Sequence, residues 1–139
     1  MAFDTLIQKR GYASRSEAVR DILRAQLQQR ASRGDANGHC IGTLSYVYHH
    51  DERDLSERLA NLQHAHHDLI VATMHAHLDH EQCIETIILK GRARRVQELA
   101  DQLVAERGVR HGQLNLVKVD LGTAHSHGGS RHQHLRPKL

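Results

Sequence analysis

The stretch Leu69–Lys90, LIVATMHAHLDHEQCIETIILK, decides how this chain folds. It holds two apolar runs, LIVATMHAHL and CIETIILK, separated only by the polar DHEQ. Two such runs around a short polar link read as a β-hairpin. A turn centred on His80 sets Cys83 opposite His77 and Glu85 opposite His75. His75 and His77 are two residues apart, so they share a face at a spacing of about 6.6 Å. Directly opposed side chains on one face have Cβ atoms about 4.5–5.5 Å apart. The hairpin therefore aims two imidazoles and a thiol at one point. Glu85 is placed to accept a hydrogen bond from an imidazole N–H. By the same alternation Ile70, Ala72, Met74, Ala76 and Leu78 share one face, which is expected to take the helices. Leu69, Val71, Thr73, His75 and His77 form the other, which is expected to be covered by a second subunit.

Outward from the hairpin the pattern is regular. CIGTLSYVYHH, from Cys40, reads as a strand. DERDLSERLANLQHAHH reads as a helix, with Asp51 as N-cap and Leu55, Leu59 and Leu62 on one face. RARRVQELADQLVAERG reads as a second helix, with Val96, Leu99, Ala100, Leu103 and Val104 apolar and Gly108 as its stop. HGQLNLVKV is the last strand. Residues 40–121 are thus an α+β unit of order βαββαβ, the ferredoxin-like arrangement of an antiparallel sheet with both helices on one face.

Ahead of this unit, residues 1–33 read as two helices. The first stops at Gly11. The second, ASRSEAVRDILRAQLQQRASRG, opens on Ser14 and Glu17 at capping-box spacing and repeats Ala18, Val19, Ile22, Leu23 and Leu27 at helical intervals. Residues 34–39 are the expected linker. Residues 122–139 show no periodicity and are expected to be a disordered tail, in which His125, His127, His132 and His134 could at most capture metal loosely.

Composition narrows the function. The chain has 139 residues, 39% hydrophobic, 3% aromatic and no Trp, so an aliphatic core is expected. Its net charge of +3 is uneven: residues 1–33 carry seven Lys/Arg against Asp4, Glu17 and Asp21. Such a basic end suits nucleic acid or a solvated helix face, and charge alone does not separate the two. No run approaches the roughly 18 apolar residues of a membrane helix, and the first residues carry no secretory pattern. Two cysteines make no disulfide framework. A cytoplasmic protein with reduced thiols is expected.

His75, His77 and Cys83 leave one position of a four-coordinate ion to fill. His64 is the natural candidate, but an extended strand separates it from His77 by about 25 Å. It is therefore expected to complete the site of another chain across a twofold axis. Three imidazoles and a thiolate suit zinc as a tetrahedron, or nickel(II) or copper(II) as a square plane. A filled four-ligand site leaves no place for substrate, so no enzyme is expected.

RGYASRSEAVRDILR, SYVYHHDERDL, QHAHHDLIVATMHAHLDHEQCIE, LKG and ERGVRHGQL, in that order and spacing, resemble the nickel-responsive ribbon-helix-helix repressors of the NikR family. The likeness runs from about Thr5 to Leu116. It implies an N-terminal ribbon-helix-helix DNA-binding domain and an ACT-type regulatory domain in a homotetramer. It implies one square-planar Ni(II) per subunit on His75, His77 and Cys83 of one chain and His64 of another, with repression of nickel uptake genes on operator DNA when metal is bound. It implies an interdomain cation near Glu17 and Asp21, and phosphate contacts from Arg15, Ser16 and Arg20. The sequence departs from the family at its start: the short strand that pairs in the dimer and reads bases is missing ahead of the first helix. That departure and the His-rich tail leave open a nickel storage or delivery protein without sequence-specific DNA binding. A metal-free amino-acid sensor would also use a βαββαβ unit, but the His/Cys constellation argues against it.

Overall fold

The hairpin sits where the sequence puts it, within a five-stranded antiparallel sheet. The computed structural model describes residues 2–34, 37–122, 124–127 and 130–138, the side chains of 30–34, 125–127, 130 and 131 excepted. The chain divides into two units, residues 1–34 and 35–139.

The first unit is two helices, α1 (Ala2–Arg10) and α2 (Arg15–Gly34). Gly11 stops α1 at φ 70°, a left-handed conformation that a side chain would resist. The Ser14 hydroxyl caps α2 by accepting from the Glu17 N–H at 3.2 Å. The Glu17 carboxylate reaches back to the Ala13 N–H at 3.1 Å. This is a capping box whose return bond lands one residue early. Ala18 is buried, whereas Val19, Leu23 and Leu27 stay exposed. The apolar stripe of α2 is thus largely unburied within one chain.

The second unit runs β1 (His39–His49), α3 (Leu55–Ala65), β2 (Ile70–His77), β3 (Gln82–Arg92), α4 (Ala93–Ala105) and β4 (Val109–Leu121). Three short strands follow: β5 (His125–His127), β6 (Ser130–His132) and β7 (Leu135–Pro137). The main sheet has the order β2-β3-β1-β4-β7. Residues 122–139 thus hold regular structure where none was expected: β7 adds to the β4 edge by pairing Val119 with Pro137 and Leu121 with Leu135. An aperiodic segment can gain strand structure from a free sheet edge, which offers unpaired N–H and C=O groups. The side chains of His125 and His127, and residues 35 and 36 of the expected linker, lie outside the described residues.

Leu44, Leu55, Leu59, Ile87, Leu89, Val96, Leu99 and Leu103 form the core between sheet and helices. It is aliphatic apart from two tyrosines and two cysteines. Tyr46 and Tyr48 are also buried, at 0% and 5% exposure, and both belong to the site described below. Helix α3 starts at Leu55, not just after Asp51, because β1 pairing persists through the His50 N–H to the Glu81 carbonyl at 2.9 Å. Turns then carry the chain to Asp54, at φ 60°.

The faces of β2 are the reverse of those expected. Cys83, Glu85, Ile87 and Leu89 of β3 point into the helix-covered core. Their partners across the ladder are His77 for Cys83, His75 for Glu85 and Thr73 for Ile87. Directly paired residues share a face, so both histidines lie on the helix side. Met74 and Leu78 are exposed, at 73% and 55%. The register is irregular between Ile70 and Ala72, and Leu69, just before the strand, is buried on the same side as His75 and His77. Apolar content alone misassigned the faces, because the ligand-bearing end of β2 reaches past the helices.

Candidate metal centre

Cys83 stands on β3 between two neighbours, β2 and β1. On the β2 side His77 is directly opposite, and its Nδ1 lies 3.3 Å from Sγ. On the β1 side the direct partner is Tyr48. His50, two residues further, shares the face of Tyr48 and sets its Nδ1 3.4 Å from Sγ. These three donors lie within 4.8 Å of one another, the one such cluster among the described residues.

The chemistry of this donor set fits a divalent transition metal. A thiolate and an imidazole held roughly 2.3 and 2.0 Å from one four-coordinate ion stand about 3.0 Å apart at the 90° of a square plane and about 3.5 Å apart at the tetrahedral angle. The Sγ–Nδ1 separations of 3.3 and 3.4 Å fall in that range. Burial pushes the Cys83 thiol up from its ordinary pKa, and the carboxylates of Asp79, Glu85 and Asp51 add to the shift. Without metal the thiol is held protonated, and a coordinated ion must displace that proton.

The turn that sets this geometry is short. Asp79 accepts from the backbone N–H groups of Glu81 at 2.8 Å and Gln82 at 2.7 Å. Those bonds hold its carboxyl below the usual range. The Leu78 N–H closes the loop on the Gln82 carbonyl at 2.8 Å.

His75 does not join the cluster in one chain. Its ring lies 5.2 Å from that of His77, but its Nδ1 faces the Glu85 carboxylate and the Tyr48 hydroxyl, each at 3.4 Å. Glu85 is buried. It also accepts from the Tyr46 hydroxyl at 2.9 Å, the Tyr48 hydroxyl at 3.4 Å and the Gln63 amide at 2.5 Å. Burial, the Glu85 charge and the bond to it all hold the Tyr46 phenol protonated, far above its ordinary pKa.

His64 sits in the last turn of α3, exposed, with its ring 6.4 Å from that of His67. The 25 Å separation expected from an extended chain does not hold for this helix end. Turns at residues 66–70 fold the chain back. Gln63 then reaches Thr73 at 3.2 Å as well as Glu85, so α3 ends over the middle of β2. Successive helical residues are about 100° apart. With Gln63 turned inward, His64 turns away from its own chain's cluster.

In the first unit Glu17 and Asp21 are both engaged locally, Glu17 in the cap and Asp21 with Arg24 at 3.1 Å. Arg15 donates to Asp4 at 2.8 Å. Ser16 and Arg20 are exposed on the first turns of α2.

His50 was missed because its signal lies between strands. The hairpin register needs only one short turn, whereas placing His50 requires knowing that β1 pairs with β3 in the Tyr48–Cys83 register.

The described family "NikR C terminal nickel binding domain" matches residues 41–117, more than half of the chain. The chain belongs to the NikR family. Two relatives carry the name of nickel-responsive regulators. One, from Rhodopseudomonas palustris strain TIE-1, is 47% identical over 94% of this chain and 86% of its own length. Another, from strain HaA2, is 46% identical over 89% of this chain and 88% of its own. A solved structure of an uncharacterized protein from Thermotoga maritima aligns with a TM-score of 0.49 at 20% identity, covering 58% of this chain and 96% of that one. Among the described residues no helix is long and apolar enough to cross a membrane.

Proposed function

We propose that this NikR-family chain is a nickel-responsive transcriptional repressor that works as a homotetramer in the cytoplasm and controls nickel uptake genes. One observation carries the reading: within the family-matched segment, the Cys83 thiol sits 3.3 Å from His77 with further imidazoles beside it. The bound Ni(II), one per subunit, acts as the effector that raises affinity for operator DNA.

His75, His77 and Cys83 of one chain and His64 of another are the proposed ligands. Glu85 takes the Nδ1 side of His75, which leaves its Nε2 lone pair for metal. The same carboxylate grips Gln63, the residue before His64. His75 and the end of α3 are therefore tied through one buried group, and a ligand held at either is felt at the other. The uncovered sheet face, with Met74 exposed and Ile84 and Ile88 half-buried, is the proposed packing surface between ACT-type domains. The exposed Val19, Leu23 and Leu27 stripe of α2 is the proposed dimer face of a ribbon-helix-helix unit. Arg15, Ser16 and Arg20 are its phosphate contacts, and Arg15 exchanges Asp4 for a phosphate on binding. Glu17 and Asp21, one turn apart on α2, are proposed ligands of a second cation. As a regulator, the chain has no catalytic role in this reading.

The test is a nickel titration of the reduced protein followed by absorption and by operator binding. A thiolate-to-nickel charge-transfer band saturating at one metal per chain, with DNA affinity rising over the same range, is expected. Several weakly bound metals per chain and no effect on DNA would instead favour storage or delivery.

A further inference from the structure

A second concavity lies away from the metal cluster, where the end of β3 meets the start of α4. It encloses about 620 Å³, within the usual range of small-ligand sites. Lys90 and Arg92 line it from β3, Arg95 from the first turn of α4, His39 from β1 and His132 from β6. Lys90 and Arg92 are two apart on one strand and so share a face. Among the described residues the only acidic one in the wall is Asp68.

These cations are poorly matched by the protein itself. Asp68 already takes Arg95, at 2.6 and 3.5 Å. Among the described residues the Arg92 guanidinium donates to the Asn37 carbonyl, at 3.2 Å, and has no carboxylate partner. Among the described residues Lys90 has no carboxylate partner. No acidic residue stands in the first turn of α4, so the positive end of that helix adds to the field. Leu69, 2% exposed, gives the wall an apolar part, and charge interactions strengthen where water is excluded. Three permanent cations in one concavity repel a metal ion and attract an anion.

We propose that this cavity binds a small multivalent oxyanion of the phosphate or pyrophosphate class between Lys90, Arg92 and Arg95. The forked guanidinium groups suit paired oxygens. The incoming anion competes with Asp68 for Arg95. The proposal stands apart from the nickel reading and can fail without it.

The experiment is calorimetric titration of the full metal-free chain with inorganic pyrophosphate at low ionic strength. Saturation at one pyrophosphate per chain is expected. Lys90→Gln and Arg92→Gln should each weaken binding about tenfold, the loss of one charge-assisted hydrogen bond. Arg94→Gln is the control: it removes the same charge next door, from a side chain paired with Glu98 at 3.0 Å, and should leave binding unchanged. All three residues are exposed, and unaltered circular dichroism checks their folding. No saturable binding by the parent chain would overturn the site. So would an equal loss in Arg94→Gln, since only net charge would then be felt.

Discussion

Cys83 on β3 and His77 on β2 face each other across one ladder rung, with Sγ and Nδ1 3.3 Å apart. On the other flank of Cys83, His50 lies at 3.4 Å. The thiol therefore has two candidate third donors, His50 and His75. Cys83→Ala should abolish the charge-transfer band outright. His75→Ala should weaken nickel binding by at least about a hundredfold, as expected for a lost ligand at roughly 3 kcal/mol or more, while His50→Ala should weaken it far less. The opposite ranking, read from competition with a chelator, would move the site to the trio assembled within one chain.

The thiol sets the pH dependence. Its pKa is raised in the folded, metal-free chain, so the proton is bound at neutral pH and is released when metal binds. Apparent nickel affinity should then climb with pH, by about tenfold per unit from this proton alone, until pH passes the raised thiol pKa. Asp79 titrates in the other direction. Its carboxyl is depressed by two backbone N–H bonds, so the hairpin turn is supported above the ordinary carboxylate range and loses that support as pH falls through the depressed value. Nickel affinity measured across pH, with Asp79→Asn alongside, checks both. A flat profile would remove the thiolate from the ligand set.

Glu85 is the most exacting polar residue of the unit. Its carboxylate receives Tyr46, Tyr48, Gln63 and His75. Glu85→Ala strands those donors in a buried space and should destabilise the fold by about 2–4 kcal/mol. Glu85→Gln keeps the shape but turns an amide donor toward partners that also donate, and it should cost a measurable part of that. Thermal denaturation reads both. If Glu85→Gln melts with the parent, the network does not hold α3 to β3.

How much of this was legible in the sequence follows from which contacts are local. The hairpin register needed only Asp79–Gln82 and the strand period, so the Cys83–His77 and Glu85–His75 pairs could be read directly. The order of strands and helices followed from periodicity and from stops such as Gly108, at φ 98°. Facing was not legible: Met74 looks like core by composition, yet β3 decides which side of β2 is inside. Nor was His50, whose place depends on a rung joining residues far apart in sequence. The tail deceived for the same reason, since the partner of β7 is β4.

The last prediction concerns the chain from which His64 acts. Gln63 turns inward to Glu85, so His64, the next residue, turns out and lies by His67 rather than by Cys83. An outward histidine at the end of α3 can serve only a neighbouring chain's cluster unless the last helical turn unwinds. Mixing His64→Ala chains with Cys83→Ala chains tests this directly. Each variant alone should lack the complete site. In mixed tetramers, a site that takes its thiol from the His64→Ala chain and its imidazole from the Cys83→Ala chain is whole. For random pairing about a quarter of the sites should regain the charge-transfer band, given twofold related contacts. Recovery on mixing, absent when either variant is mixed with itself, would place His64 across the interface. A band that never returns would mean that α3 rearranges within its own chain.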